Sequence, residues 1–195
     1  MKETKVLFVN ACVREESRTL TLAKRVLSHL DGQVTEFNLE QAGLLPLTRE
    51  TLAKRDALLA AGDRRDPMLA PALAFAAADE IVLAAPYWDL SFPASVKTWI
   101  EHINCVGLSF AYGPDDMPYG LCKAKRLFYV MTAGGPILPP NEGFAYLETL
   151  CKTFYGIPEC KLFSAECLDI RGADAAAILQ KANKEIDDWF LGKRS

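Results

Sequence analysis

The sequence has few of the residues that build metal sites. Only two histidines are present, and none of the six cysteines stands in a C-x-x-C pair, so the ligand spacing of a zinc cluster is missing. We therefore expect no metal. A core of ordinary size also needs no disulfide framework, which predicts reduced and mostly structural thiols.

Long apolar runs and an excess of basic charge are also lacking. No run approaches the roughly 20 residues that span a bilayer, and the first residues do not form a signal-peptide pattern. The 22 basic and 25 acidic residues give a net charge of −3, which argues against nucleic acid as a partner. With 50% hydrophobic residues over 195 positions, we expect a soluble, cytoplasmic protein that folds as a single domain over 1–195.

Short apolar runs alternate with helical segments along the chain. Strands are predicted over 5–10, 33–39, 80–85, 126–132 and 161–166. Helices are predicted over 17–31, 93–103, 143–154 and 174–190, with two more inside the alanine-rich section 48–78. This alternation predicts an α/β, doubly wound domain with a five-stranded parallel sheet. In such domains ligands bind beyond the carboxyl ends of the strands.

The loop after the first predicted strand, residues 10–19, combines an amide, hydroxyls and two arginines directly before a helix. Free N–H groups and the helix dipole favour an anion there, so a phosphate would fit. An ordinary helix cap with solvated Arg14 and Arg18 explains the same residues equally well. The loop lacks G-x-G-x-x-G and G-x-x-x-x-G-K, which argues against dinucleotide folds and nucleotide hydrolases.

The loops after the third and fourth strands add a different chemistry. Tyr87 and Trp88 are adjacent aromatics between two prolines, and such flat side chains can support a planar ring. The alternative is that they only cover the end of the sheet. Gly134 and Gly135 follow the fourth strand, where glycine permits close approach of a ligand to the backbone.

Together these segments resemble the flavodoxin-like NAD(P)H:quinone reductases and azoreductases, and their relatives the NADPH-dependent FMN reductases. The most specific part is Pro86-Tyr87-Trp88-Asp89, followed over 92–101 by Phe-Pro-Ala-Ser-Val-Lys-Thr-Trp-Ile-Glu. The start of the first helix, Phe110, Gly120-Leu121 and the turn over 132–135 also match. The resemblance covers nearly the whole chain and implies a flavodoxin-like sheet with strand order 2-1-3-4-5.

The resemblance also implies a cofactor, substrates and binding residues. FMN would accept hydride from NAD(P)H and pass it to a quinone, azo compound or similar acceptor, so no catalytic side chain is assigned. The residues that would hold the phosphate are Asn10, Ser17, Arg18 and Thr19. Those that would flank the isoalloxazine ring are Pro86, Tyr87, Trp88 and Asp89. Those that would contact the ring from the other side are Thr132, Ala133, Gly134 and Gly135.

Members of this family are commonly homodimers with the site between the subunits. The resemblance therefore implies that Phe110 and Tyr112 line a partner's substrate pocket beside Trp88, the alternative being burial within their own subunit. Two departures stand out. Asp89 replaces the commoner asparagine, and the proline-rich segment 136–141 follows the diglycine where many relatives have a histidine or tyrosine.

Three further functions remain open. Cys12 to Thr19 matches C-x-x-x-x-x-R-[ST], the phosphate loop of low-molecular-weight cysteine phosphatases, in which Cys12 would attack phosphorus and Arg18 would stabilise the charge. Against a phosphatase, Glu15 and Glu16 place negative charge in that loop, and the loop has no glycine. A flavin-binding electron carrier is the second of these functions and a redox sensor is the third. Either would bind flavin without oxidising NAD(P)H.

Overall fold

The structure is a computed structural model that describes residues 3–192. Strands and helices alternate along this part of the chain. The elements are β1 (Lys5–Asn10), α1 (Arg18–Leu27), β2 (Gln33–Asn38), α2 (Arg49–Ala60), α3 (Ala70–Ala77), β3 (Glu80–Ala84), α4 (Ala94–Ile103), β4 (Phe110–Tyr112), β5 (Pro118–Gly120), β6 (Arg126–Thr132), α5 (Glu142–Leu150), β7 (Glu159–Ala165) and α6 (Ala175–Gly192). A 3-10 turn, Pro67–Leu69, precedes α3, and a π-helical turn, Cys151–Tyr155, continues α5.

Five parallel strands form the central sheet in the order β2-β1-β3-β6-β7. This confirms the predicted order 2-1-3-4-5, since β6 and β7 are the fourth and fifth strands of that sheet. The three middle strands are almost entirely buried, as continuous apolar runs in a parallel sheet require. The register sets Val9 beside Leu83 and Leu83 beside Tyr129, so β1, β3 and β6 end at the same edge.

Helices cover both faces of the sheet. On one face, α3, α4 and α5 pack a core in which Phe75 meets Trp99 and Tyr155 edge to face. On the other face, α1 and α6 pack against Phe128, which contacts Phe190 at 5.4 Å between ring centroids. Because α1 and α4 follow strands of the sheet, their N-termini lie at the carboxyl edge.

The structure departs from the predicted elements in three places. Strands β4 and β5 form an antiparallel hairpin that periodicity did not predict, because three-residue strands are too short to show alternation. Helix α1 ends at Leu27, because the N–H groups of His29 and Leu30 bond carbonyls three residues back instead of four, so the predicted extension to residue 31 is wrong. The predicted helix over 143–154 ends at Leu150 and becomes the π-helical turn.

Candidate functional site

A cleft of about 210 Å³ opens at the carboxyl edge of β1, β3 and β6. Loops after these three strands form most of its wall, as the switch-point rule for doubly wound sheets requires. The loop after β7 completes it. The lining residues are Cys12, Val13, Arg14, Glu16, Ser17, Arg18, Thr19, Pro86, Tyr87, Trp88, Thr132, Ala133, Gly134 and Asp169.

One end of the cleft is the N-terminus of α1. Ser17 caps the helix, and its hydroxyl accepts a hydrogen bond from the Leu20 N–H at 3.2 Å. The buried hydroxyls of Thr19 and Thr132 lie 2.5 Å apart, which joins the first turn of α1 to the end of β6. The positive end of the helix dipole therefore stands at the cleft on a fixed support and can stabilise an anion.

Arg18 adds a full positive charge to this end. Its Nη2 lies 2.8 and 3.0 Å from the two carboxylate oxygens of Asp169, and its Nη1 donates to the Leu168 carbonyl at 3.3 Å. Sequence reasoning missed Asp169. Its position in the loop after the fifth strand, four residues beyond Ala165, was the available signal, but a lone acid in a loop resembles any surface carboxylate.

The loop after β3 forms the aromatic wall. Trp88 and Ser91 exchange two backbone hydrogen bonds of 3.0 and 2.9 Å around Asp89 and Leu90. Both central residues have positive φ, 50° and 66°, the backbone of a tight two-residue turn. The Tyr87 N–H donates to the Thr132 carbonyl at 2.9 Å, which ties this loop to the loop after β6. The Trp88 side chain is consequently held at the cleft while remaining 38% exposed.

The loop after β6 is fixed to the loop after β7. The Asp169 N–H donates to the Gly134 carbonyl at 2.9 Å, and the Leu168 N–H to the Ala133 carbonyl at 3.2 Å. A Cβ on Gly134 would lie 2.5 Å from an Asp169 carboxylate oxygen. Glycine at 134 therefore allows this carboxylate to lie close to the backbone. That it also makes room for a ligand stays a prediction.

Asn10 does not line the cleft. It is buried, with Nδ2 donating to Glu36 Oε1 at 2.8 Å and Oδ1 accepting from the Cys12 N–H at 2.9 Å. Its amide thus stabilises the loop after β1 from outside the cleft lining.

Four further predicted residues also lie outside the lining. Asp89 and Gly135 belong to the loops beside the cleft. Phe110 is buried within its own subunit, edge to face with Phe154 at 4.9 Å, while Tyr112 on the same hairpin is 53% exposed. The structure therefore separates these two aromatics from the Trp88 wall of the same chain.

The surroundings of Cys12 are those of a structural thiol. Burial is the largest effect and raises the pKa of this thiol; the Ser17 side chain lowers the pKa by less, and the Glu36 carboxylate adds a still smaller rise. A cysteine nucleophile needs the opposite shift, towards the thiolate. The site therefore does not support a phosphatase.

Metal and membrane features are absent from residues 3–192, the part of the chain that the structure describes. In that part, no three or more His, Cys, Asp or Glu side chains are grouped so that they could hold a metal ion. None of the helices described there has the length and apolar character needed to cross a membrane.

Comparisons with known proteins agree with this architecture. A protein family described as having a flavodoxin-like fold matches residues 4–190. An FMN-dependent NADH:quinone oxidoreductase of Coprothermobacter proteolyticus is 31% identical over 198 residues, which cover 94% of this chain and 96% of that protein. The likeness thus extends over nearly the full length of both chains.

Two solved structures share the fold. An azoreductase from Bacillus anthracis str. Sterne has a TM-score of 0.81 at 22% identity, covering 96% of this chain and 98% of that one. An FMN-dependent NADH-azoreductase from Bacillus anthracis str. Ames Ancestor, solved in complex with FMN, has a TM-score of 0.76 at 17% identity, covering 98% and 100%. These two structures confirm the fold, and the family match and the sequence relative show that the chain belongs to the flavodoxin-like family that includes FMN-dependent NADH:quinone oxidoreductases.

Proposed function

We propose that the protein binds FMN in the cleft and transfers hydride from NADH or NADPH to a quinone, an azo compound or a similar acceptor. One observation carries the proposal: a single cleft joins an anion-binding helix N-terminus to a rigid aromatic wall. FMN has a phosphate at one end and a planar ring at the other, so it needs both. The relative from C. proteolyticus, named as FMN-dependent, supports the same interpretation.

The phosphate belongs at the N-terminus of α1. Ser17, Arg18 and Thr19 line that end of the cleft and supply hydroxyls, a guanidinium and the helix dipole. Thr19 is buried and bonded to Thr132, so it acts by fixing the helix start. Arg18, although paired with Asp169, supplies a guanidinium that can donate charge-assisted hydrogen bonds to a phosphate.

The ring belongs between the Trp88 wall and the turn at Ala133 and Gly134. Bound FMN supplies the redox chemistry, accepting hydride from the nicotinamide and giving it to the acceptor. The chain holds the ring in place and excludes water. The Tyr87 N–H bond to Thr132 keeps both sides of the cleft at a set separation, so the ring meets a preformed site.

A second copy of the chain is the protein partner that we propose. The β4–β5 hairpin exposes Tyr112, Met117 and Tyr119 at 53, 61 and 51%. Tyr112 pairs with Pro118 and Tyr119 with Ala111, so the two tyrosines lie on opposite faces of the hairpin. Exposed large apolar side chains favour a protein interface. Tyr112 on this hairpin would then reach the substrate side of a partner's cleft.

The test is an absorbance spectrum of the protein. The protein is first mixed with FMN, the unbound flavin is then removed, and the sample is kept free of oxygen. We expect a flavin band that bleaches when NADH or NADPH is added and returns when a benzoquinone or an azo dye follows. Loss of all flavin during removal of the unbound fraction would overturn the proposal. A bound band that persists after both nicotinamides would instead identify an electron carrier or sensor.

A further inference from the structure

The loop after β7 places an acidic side chain at the anion-binding end of the cleft. Asp169 lines the cleft beside Arg18 and has a side chain that is 60% exposed. An acid beside a phosphate site is unexpected, because its charge opposes that of the ligand. Its contacts give the reason for its presence.

Arg18 is held by this loop through two neighbouring acceptors. Nη2 contacts both carboxylate oxygens of Asp169, and Nη1 donates to the Leu168 carbonyl. A guanidinium carries five N–H groups. These contacts use only some of them, so Arg18 can keep this anchor while donating to an anion in the cleft.

The backbone of this loop is held to the loop after β6 at two points. The N–H groups of Leu168 and Asp169 donate to the carbonyls of Ala133 and Gly134, and the Asp169 carboxylate fills the space that a Cβ of Gly134 would take. Asp169 is therefore fixed through its backbone, and its exposed carboxylate lies against Gly134. An arginine side chain bound to this loop has already lost part of its conformational entropy, so less is lost when a ligand binds.

We propose that Asp169 is a positioning residue that holds the Arg18 guanidinium at the phosphate end of the cleft and thereby makes the site select FMN over unphosphorylated riboflavin. This rests on the proposed flavin site. The exposed Asp169 carboxylate is screened by water, which limits its repulsion of the phosphate, whereas the fixed guanidinium gains a directed contact.

The test compares dissociation constants for FMN and riboflavin, measured by quenching of flavin fluorescence. Asp169→Asn keeps the size of the side chain and the backbone N–H and removes the charge. We expect this variant to bind FMN about 10-fold more weakly, on the scale of one charge-assisted contact, with riboflavin binding unchanged within about twofold. Arg18→Ala should show the same loss of selectivity. The variant Arg18→Ala with Asp169→Asn should bind FMN no more weakly than Arg18→Ala alone.

Asp31→Asn is the matched control, because it removes the same charge from an exposed loop at the opposite edge of the sheet. It should bind both flavins like the parent. Unchanged or tighter FMN binding by Asp169→Asn would overturn the proposal. An equal loss of affinity for FMN and riboflavin would also overturn it, because it indicates a structural role for the turn. Additive losses of FMN affinity in the double variant would overturn it as well. A parent protein that binds neither flavin would overturn the flavin site, a result distinguishable from each of these.

Discussion

Cys12 lies in the wall of the cleft, yet its surroundings keep its thiol protonated. The residue is 9% exposed, and its Sγ lies 3.7 Å from the Ala84 carbonyl. Burial disfavours the thiolate and raises the pKa of Cys12, and this effect outweighs the lowering by the Ser17 side chain. The matching phosphatase motif therefore lacks the electrostatics that a cysteine nucleophile needs.

A pH series of alkylation tests this residue. A raised pKa means that the thiolate fraction grows only above the pH at which an exposed thiol ionises. We therefore expect iodoacetamide labelling of Cys12, followed by mass spectrometry of its peptide, to reach half its maximal rate at a higher pH than labelling of glutathione. The midpoint is the readout, since shielding changes the rate at every pH alike. A midpoint below that of glutathione, or hydrolysis of an aryl phosphate that Cys12→Ser abolishes, would contradict this account.

Residues that follow strands could be assigned to the site from the sequence, while those defined by contacts across the molecule could not. Ser17, Arg18 and Trp88 line the cleft. Their place there could be predicted because apolar runs in the sequence show where the strands end. Asp169 lies 151 positions from Arg18, and only the folded chain brings the two together. Asn10 stands at the end of β1, but its amide already bonds Glu36 on the neighbouring strand and the Cys12 N–H, and it does not line the cleft.

At the scale of elements, the turn over residues 88–91 has an unfavourable backbone. Asp89 and Leu90 both have positive φ, which costs an ordinary L-residue roughly 1–2 kcal/mol and which glycine or asparagine tolerates best. The hydrogen bonds between Trp88 and Ser91 impose this conformation. Strain of this kind beside a cleft is typical of binding loops.

Leu90→Gly should therefore stabilise the protein. The leucine is 54% exposed, so little burial is lost, and glycine adopts its φ of 66° without strain. We expect a gain of about 1 kcal/mol, or roughly 2–4 °C in the melting temperature of a domain of this size, measured by thermal unfolding. Leu45→Gly is the control, since Leu45 is an exposed loop leucine without a positive φ. It should lower the melting temperature slightly. Equal changes in the two variants would show that the turn is not strained.

The three middle strands of the sheet could be predicted from the sequence because they are continuous apolar runs, and the strand order followed from the family resemblance. The β4–β5 hairpin could not be predicted. Its Gly120 packs against the backbone of Tyr155 and Gly156, where a Cβ would come within 2.1 Å of the Gly156 nitrogen. Such a contact between distant segments stabilises short strands without leaving a local pattern.

At the scale of the whole molecule, this hairpin connects fold and function. It stands apart from the central sheet, is fixed by its contact with the turn after α5, and presents its exposed aromatics outward. A single chain places Trp88 and Tyr112 in separate regions. Pairing of two chains through the hairpin would combine the cleft of one with the aromatic side chain of the other.

Sedimentation equilibrium tests this pairing. We expect the parent to sediment at twice its chain mass of 21.5 kDa and Tyr119→Asp to dissociate at more than about 10-fold higher concentration, because a buried unpaired carboxylate is costly. Leu191→Asp places the same charge on an exposed apolar position of α6 and should associate like the parent. If the hairpin also completes the site, the acceptor half-reaction of Tyr119→Asp should slow under conditions that separate the chains, while FMN stays bound. A parent that sediments as a single chain, or equal association of the two variants, would mean that the hairpin does not join two copies and that each cleft works alone.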